Sequence, residues 1–313
     1  MDGMGGMGSQ HDGNVAIANL PQTRRPLPIP ALLTGTQFDL VLQSGSSSFL
    51  DGKVTPTYGI NGDYLGPAIK IRRGDEVTMR VTNRLPMTST LHWHGMHVPA
   101  QMDGGPHQTI LPGATWEARF QVRQRAGTNW FHPHLDGDTG RQVYLGLAGL
   151  LLVEDEDTDR LDLPRTWGDD DIPLIIQDRR FDAAGGLLYV ADMRMAMDTG
   201  MCGMLGDTLL ANGAVNAEAV LPAKQVRLRL LNGSNARVYA LRFDDGRAFL
   251  QIATDGGLLE SPLAQNEITL SPGERAEIVV DLSADLGSTL VLLDRRSGGR
   301  VLVLAVNRKP ASV

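Results

Sequence analysis

Two short histidine pairs hold most of the chemistry available to this chain: His92-Trp93-His94-Gly95, and about forty residues later Trp130-Phe131-His132-Pro133-His134. Together they contain four of its seven histidines. Each pair sits in a run of apolar and β-branched residues. There residues i and i+2 share one face of a strand, roughly 6 to 7 Å apart, so both imidazoles of a pair face one place. Trp93 then points to the opposite face, into a core, and Pro133 puts its strand at a sheet edge or near a strand end. A lone His-x-His is a weak signal. Two of them, one closed by Gly95 and the other led by aromatic residues, point to a metal site. Neutral imidazole nitrogen suits copper, zinc, iron and nickel alike, so spacing alone does not choose the metal.

The segments that must position these pairs read as short strands between turn residues: 38–42, 77–81, 118–122, 226–230 and 278–280. Apolar and polar residues alternate in them, Gly, Pro and Asn punctuate them, and helical periodicity is scarce, which predicts an all-β protein built as sandwiches. The chain also repeats itself. Asn61-Gly62, Pro67, Val77 to Asn83, and Pro112-Gly113 with Glu117 recur as Asn212-Gly213, Pro222, Val226 to Asn232, and Pro272-Gly273 with Glu277. An offset of about 150 residues is one domain length, and a self-match of this kind signals a duplicated unit. Domains are expected at 26–155 and 172–313, joined by an acidic, Pro-containing linker over 156–171, with 1–25 as a flexible tail. The copies differ at the metal motif. Nine residues after Asn83 stands His92, nine after Asn232 stands Leu241, and no histidine follows His134. The second domain is therefore expected to be metal-free.

Composition narrows the partners. A 313-residue chain with 42% hydrophobic and 21% charged residues has ample material for cores. A net charge of −7 argues against nucleic acid or anionic membrane as partner. The longest apolar run, Tyr144 to Val153, falls short of the ~20 residues that a bilayer span needs. One cysteine, Cys202, excludes an internal disulfide and leaves the compartment undetermined. Arg24-Arg25 precede a proline-rich stretch that cannot form a signal's apolar region, so the chain reads as a mature form whose leader is absent.

At the level of motifs the chain resembles the multicopper oxidases, and most closely their copper efflux (cuprous), laccase-like branch. The likeness rests on Leu91 to Gly95, Asp103-Gly104-Gly105-Pro106, Pro112-Gly113, Trp130 to His134, Thr139-Gly140-Arg141-Gln142 and Gly146 to Gly149. It extends to Leu27 to Pro30, Asn61-Gly62, and Gly206 to Leu210 with Asn212-Gly213. The resemblance implies two tandem cupredoxin-like Greek-key β-sandwich domains and a periplasmic location. It also implies half of the ligands of a trinuclear copper cluster, His92 on the type 2 copper and His94, His132 and His134 on the type 3 coppers. The other half belongs in that family to a third cupredoxin domain, which also holds the type 1 copper on a cysteine flanked by histidines. Cys202 has no such neighbours.

The resemblance gives Asp103 a role in delivering protons during dioxygen reduction, whereas the bland alternative is a turn residue before Gly104-Gly105. His97 and His107 lie outside the motif and read as surface or supporting residues. His11, with Met1, Met4 and Met7, falls in the expected tail. Met193, Met195, Met197, Met201 and Met204 form a dense cluster, read as packing at an interface rather than as a Cu(I) site. The expected function is the N-terminal part of an oxidase that couples one-electron oxidation of Cu(I) or phenols to reduction of dioxygen. On that reading the chain is inactive without the third domain. The competing expectation is a non-catalytic copper-binding or cell-envelope scaffold of the same fold.

Overall fold

The computed structural model describes residues 15–18, 23–189 and 203–308. Strands between 32 and 154 form a four-stranded and a five-stranded sheet, and strands between 171 and 308 form a seven-stranded sheet and most of a six-stranded one. Alternation does the sorting. Gln37–Ser47 buries Phe38, Leu40 and Leu42, and Glu76–Asn83 buries Val77, Met79 and Val81, with more exposed residues between. Each pair of sheets closes on its own core, where a fully buried Leu, Ile or Phe contributes ~1.5–3 kcal/mol. The two sandwiches are cupredoxin-like, as expected. Among the described residues helix is limited to short pieces such as Thr139–Tyr144 and Glu156–Asp159, the latter capped by Asp155 and Thr158 in the stretch between the sandwiches.

The repeat is physical as well as textual. Asn61 and Asn212 both adopt positive φ, 57° and 49°. Each accepts from a strand N–H at 2.7 Å, Val41 and Ile175 respectively, and donates to a carbonyl at 2.9 Å, Asp39 and Pro173. Asn83 and Asn232 are both buried, each donating to two carbonyls and accepting from the N–H two residues on. These asparagines replace ladder hydrogen bonds where a strand turns away, which is why the type recurs.

The sandwiches pack face to face. Strands Gly127–His132 and Asp171–Arg179 are buried at every residue because neither face meets water. Between them Trp130, Leu150 and Leu152 of the first sandwich pack with Ile175 and Leu231 of the second. Beside this apolar patch lies a buried ion network. Arg229 reaches both Asp171 (2.7 Å) and Glu277 (3.1 Å), Arg227 reaches Glu277, and Thr128 donates to Glu277 across the seam at 2.6 Å. Two cations and two carboxylates cancel, so no net charge is buried. Arg80 and Glu117 hold the same cross-strand register in the first sandwich, paired at 2.9 Å but facing solvent.

Part of the stretch expected as a free tail is fixed. Arg25–Pro26 pairs in parallel with Ala217–Pro222 of the second sandwich, and Ala18 donates to Asp207. Composition carried no signal for this two-residue strand. His11, Cys202 and Met193, Met195, Met197 and Met201 lie outside the described residues; Met204 is half-buried. Among the described residues no helix is long and apolar enough to cross a membrane.

Candidate metal centre

His92–His94 is a three-residue edge strand of the five-stranded sheet, paired antiparallel with Gly127–His132 so that His92 stands opposite His132 and His94 opposite Trp130. The period of two acts as expected. The rings of His92 and His94 lie 5.8 Å apart on one face, while Trp93 is fully buried on the other against Trp116, Phe120 and Phe131. Gly95 ends the strand at φ 89°, and a Cβ there would come within 2.5 Å of Asn129 Oδ1.

The second pair obeys the rule only in part. Its strand stops at His132, Pro133 ends the pairing, and His134 lies in the following loop, exposed, with its N–H on Thr90 Oγ1. The ring of His134 still lies 5.3 Å from His92 and 6.0 Å from His132. Buried Gln142 steadies the approach to the first pair, accepting from Ser89 at 2.6 Å and donating to the Thr88 carbonyl.

The nitrogens converge. His94 Nδ1 is 3.0 Å from His132 Nε2, and one ring nitrogen each of His92, His94 and His132 falls within a common 4.8 Å. The outward nitrogens are occupied. His132 Nδ1 meets the Pro133 carbonyl at 2.7 Å, and His92 Nδ1 meets the Asp103 carbonyl at 3.0 Å and its carboxylate at 3.2 Å. Such contacts fix ring orientation and leave the opposite nitrogen for a metal. Burial, with the Arg275 guanidinium and then the other histidines, lowers the His94 pKa to about 4. Burial also lowers that of His132 well below its ordinary value. Both therefore present neutral imidazoles, the form that ligates.

Asp103 caps a short 3-10 turn, Ala100–Met102, and so occupies a turn while its side chain reaches His92. Trp130 belongs to the site although only its place in the motif drew attention to it. Its ring stacks on His132 at 4.0 Å and lies 5.0 Å from His94. Its separation of two from His132 on one strand was the available signal. The indole N–H is buried and finds no acceptor among the described residues. His97 and His107 are both exposed and belong to no ligand group there. An all-imidazole donor set with two nitrogens 3.0 Å apart fits a transition metal bound at ~2.0–2.1 Å from each nitrogen, and copper is among the ions such a set takes.

Residues 42–158 match the family model described as multicopper oxidase. Among similar proteins, the multicopper oxidase mco of Staphylococcus haemolyticus is 38% identical over 275 residues, 88% of this chain and 59% of that protein. The cell division protein FtsP of Escherichia coli is 41% identical over 263 residues, 83% of this chain and 54% of that protein. The chain thus spans little more than half the length of either relative. Among solved structures, the laccase-like CueO from Ochrobactrum sp. superposes with a TM-score of 0.83 at 42% identity, covering 90% of this chain and 64% of that one. A multi-copper oxidase from Pediococcus acidilactici does so with 0.88 at 34% identity, covering 97% and 65%. On these grounds the chain belongs to the multicopper oxidase family.

Proposed function

We propose that this chain is the N-terminal, two-domain portion of a copper efflux oxidase, or laccase-like oxidase, acting in the periplasm. Its domains divide near 26–155 and 172–313, with 156–171 between. His92 would hold a type 2 copper, and His94, His132 and His134 type 3 coppers, as half of a trinuclear set completed by a third cupredoxin domain. The opposition of His94 Nδ1 and His132 Nε2 at 3.0 Å is the observation that carries the reading.

When bound, the trinuclear coppers would supply reduction of dioxygen, with electrons taken one at a time from Cu(I) or phenols at the type 1 copper of the third domain. The chain's own part is positional and protonic. His92 and His132 turn one nitrogen each into the site because Asp103 and Pro133 occupy the other. Asp103, half-buried beside His92, can hold a proton at Oδ2 and pass it to the site as dioxygen is reduced. Trp130 and the second sandwich keep water from the inner side of His94 and His132. With no type 1 ligand set in this sequence, the stretch alone is inactive on this reading.

Native mass spectrometry of copper-exposed chain, alone and mixed with a polypeptide carrying the third domain of a relative, tests this together with dioxygen uptake. Copper-dependent assembly and uptake only in the mixture support it; uptake by the isolated chain, or no copper on either sample, contradicts it. The FtsP relatives favour a second reading, a cell-envelope scaffold without turnover. That reading predicts assembly unaffected by replacing the histidines.

A further inference from the structure

The second sandwich contains no histidine, yet it touches the centre at Pro272 to Arg275. We propose that this turn is a positioning element of the histidine centre. Arg275 would lock the two histidine-bearing segments together, and Gly273 would seat the ring of His94. The proposal rests on the reading of the four histidines as copper ligands.

Arg275 is 4% exposed and its donors fan out across the seam. Nε points to the Thr128 carbonyl at 3.3 Å and Nη2 to Asn129 Oδ1 at 3.5 Å, on the strand that leads to His132. Nη1 reaches the Gly273 carbonyl at 3.0 Å and Asp255 at 2.8 Å. The same guanidinium presses on the exit of the first motif, since a Cβ on Gly95 would lie 2.6 Å from Nη2. One buried cation therefore spans the residue after His94 and the residues before His132. A shift at Arg275 moves one segment relative to the other, and that offset sets the spacing of the ligand nitrogens.

Gly273 acts on the ring itself. A Cβ there would stand 3.5 Å from His94 Cε1, 3.5 Å from Trp130 Cζ2 and 3.9 Å from His94 Nε2. Backbone of the second sandwich thus covers the Nε2 side of His94, and Nδ1 is left to face His132. The contact is specific to this copy of the repeat. Gly113, the counterpart, has the same positive φ (80° against 79°) and the same hydrogen bond to the repeat asparagine, but its Cβ would meet nothing within 4 Å. A turn inherited by both sandwiches is seated on a histidine in only one of them.

The test uses the whole chain as wild type, Arg275→Gln, Arg275→Lys, Gly273→Ala and His94→Gln. Each is examined for cooperative melting, for Cu(II) affinity by competition, and for imidazole 15N resonances in the metal-free, histidine-labelled form. Folded Arg275→Gln is expected to bind Cu(II) about 10–100-fold more weakly. Its His94 resonances should move, those of His97 and His107 should stay, and Arg275→Lys should recover part of the loss. Affinity within about twofold of wild type, with unmoved His94 resonances, would overturn the proposal. Should the Arg275 variants fail to fold, Gly273→Ala, which keeps the guanidinium, decides on the same two readouts. Should wild type alone take no Cu(II), the positioning role is judged on the His94 resonances alone, and the copper reading is decided separately by the mixture with the third domain.

Discussion

His94 Nδ1 and His132 Nε2 face each other at 3.0 Å from two antiparallel strands, one a sheet edge and the other buried along its whole length. In the metal-free chain one of these nitrogens must carry a proton and donate to the other. A metal ion replaces that single shared proton with two bonds. His94→Gln and His132→Gln should each weaken Cu(II) binding by more than the ~10–100-fold that loss of a supporting contact costs. His97→Gln and His107→Gln should leave it unchanged. Isothermal titration of the four variants separates the two groups.

Acid should weaken the metal-free fold in two windows. The folded pKa of His94, lowered to about 4, and that of His132, also lowered by burial, lie below the unfolded value of ~6.5. The unfolded chain therefore binds more protons as pH falls, and stability present above ~6.5 is lost progressively toward 4. Glu277, lowered to about 2, adds stability that persists above ~4.5 and fades as pH falls toward 2. Urea melts from pH 7.5 to 5 should show a falling midpoint in wild type and a flatter line in His132→Gln. Equal slopes would mean that the buried ring titrates normally.

Arg80–Glu117 and Arg229–Glu277 are equivalent pairs in different surroundings. Glu277→Gln leaves Arg227 and Arg229 short of a buried carboxylate and should cost about 3–5 kcal/mol. Glu117→Gln, on the surface, should leave the melting temperature within error of wild type. Denaturant curves on both variants make the comparison; similar losses would show that the seam is wetter than its burial implies.

Asp103→Asn and Asp103→Ala should part company. Asn keeps an oxygen for His92 Nδ1, and the backbone carbonyl at 3.0 Å remains in both, so copper binding by Asp103→Asn should match wild type. Dioxygen uptake by the assembly reconstituted with Asp103→Asn should nevertheless fall, because an amide cannot hold the proton. Unchanged uptake would return Asp103 to the role of a turn residue.

Sequence periodicity made the site partly legible. His92, Trp93 and His94 could be sorted to faces because a strand has one period, and the asparagine and Pro-Gly repeats could be read because each performs a local backbone task. His134 escaped the rule because Pro133 ended the strand before the second face-sharing residue was reached. Arg275 gave no local signal, and Gly273 was legible only as half of a repeated Pro-Gly turn, not as a seat for His94. They lie about 140 residues from His132, and only the packing of two separately closed sheets brings them to it. The strand at Arg25–Pro26 was invisible for the same reason, since nothing in two residues announces a partner elsewhere.

That strand has a consequence for how the protein is made. Arg24 and its ion-pair partner Glu218 are 194 residues apart in sequence, and at about 5–20 residues per second a ribosome needs roughly 10–40 s to synthesise the interval. The first sandwich, with all four motif histidines, draws its strands from 32 to 154 and can close within that time. Arg25–Pro26 is therefore synthesised well before the strand it pairs with, and it docks only after the first sandwich has had time to close.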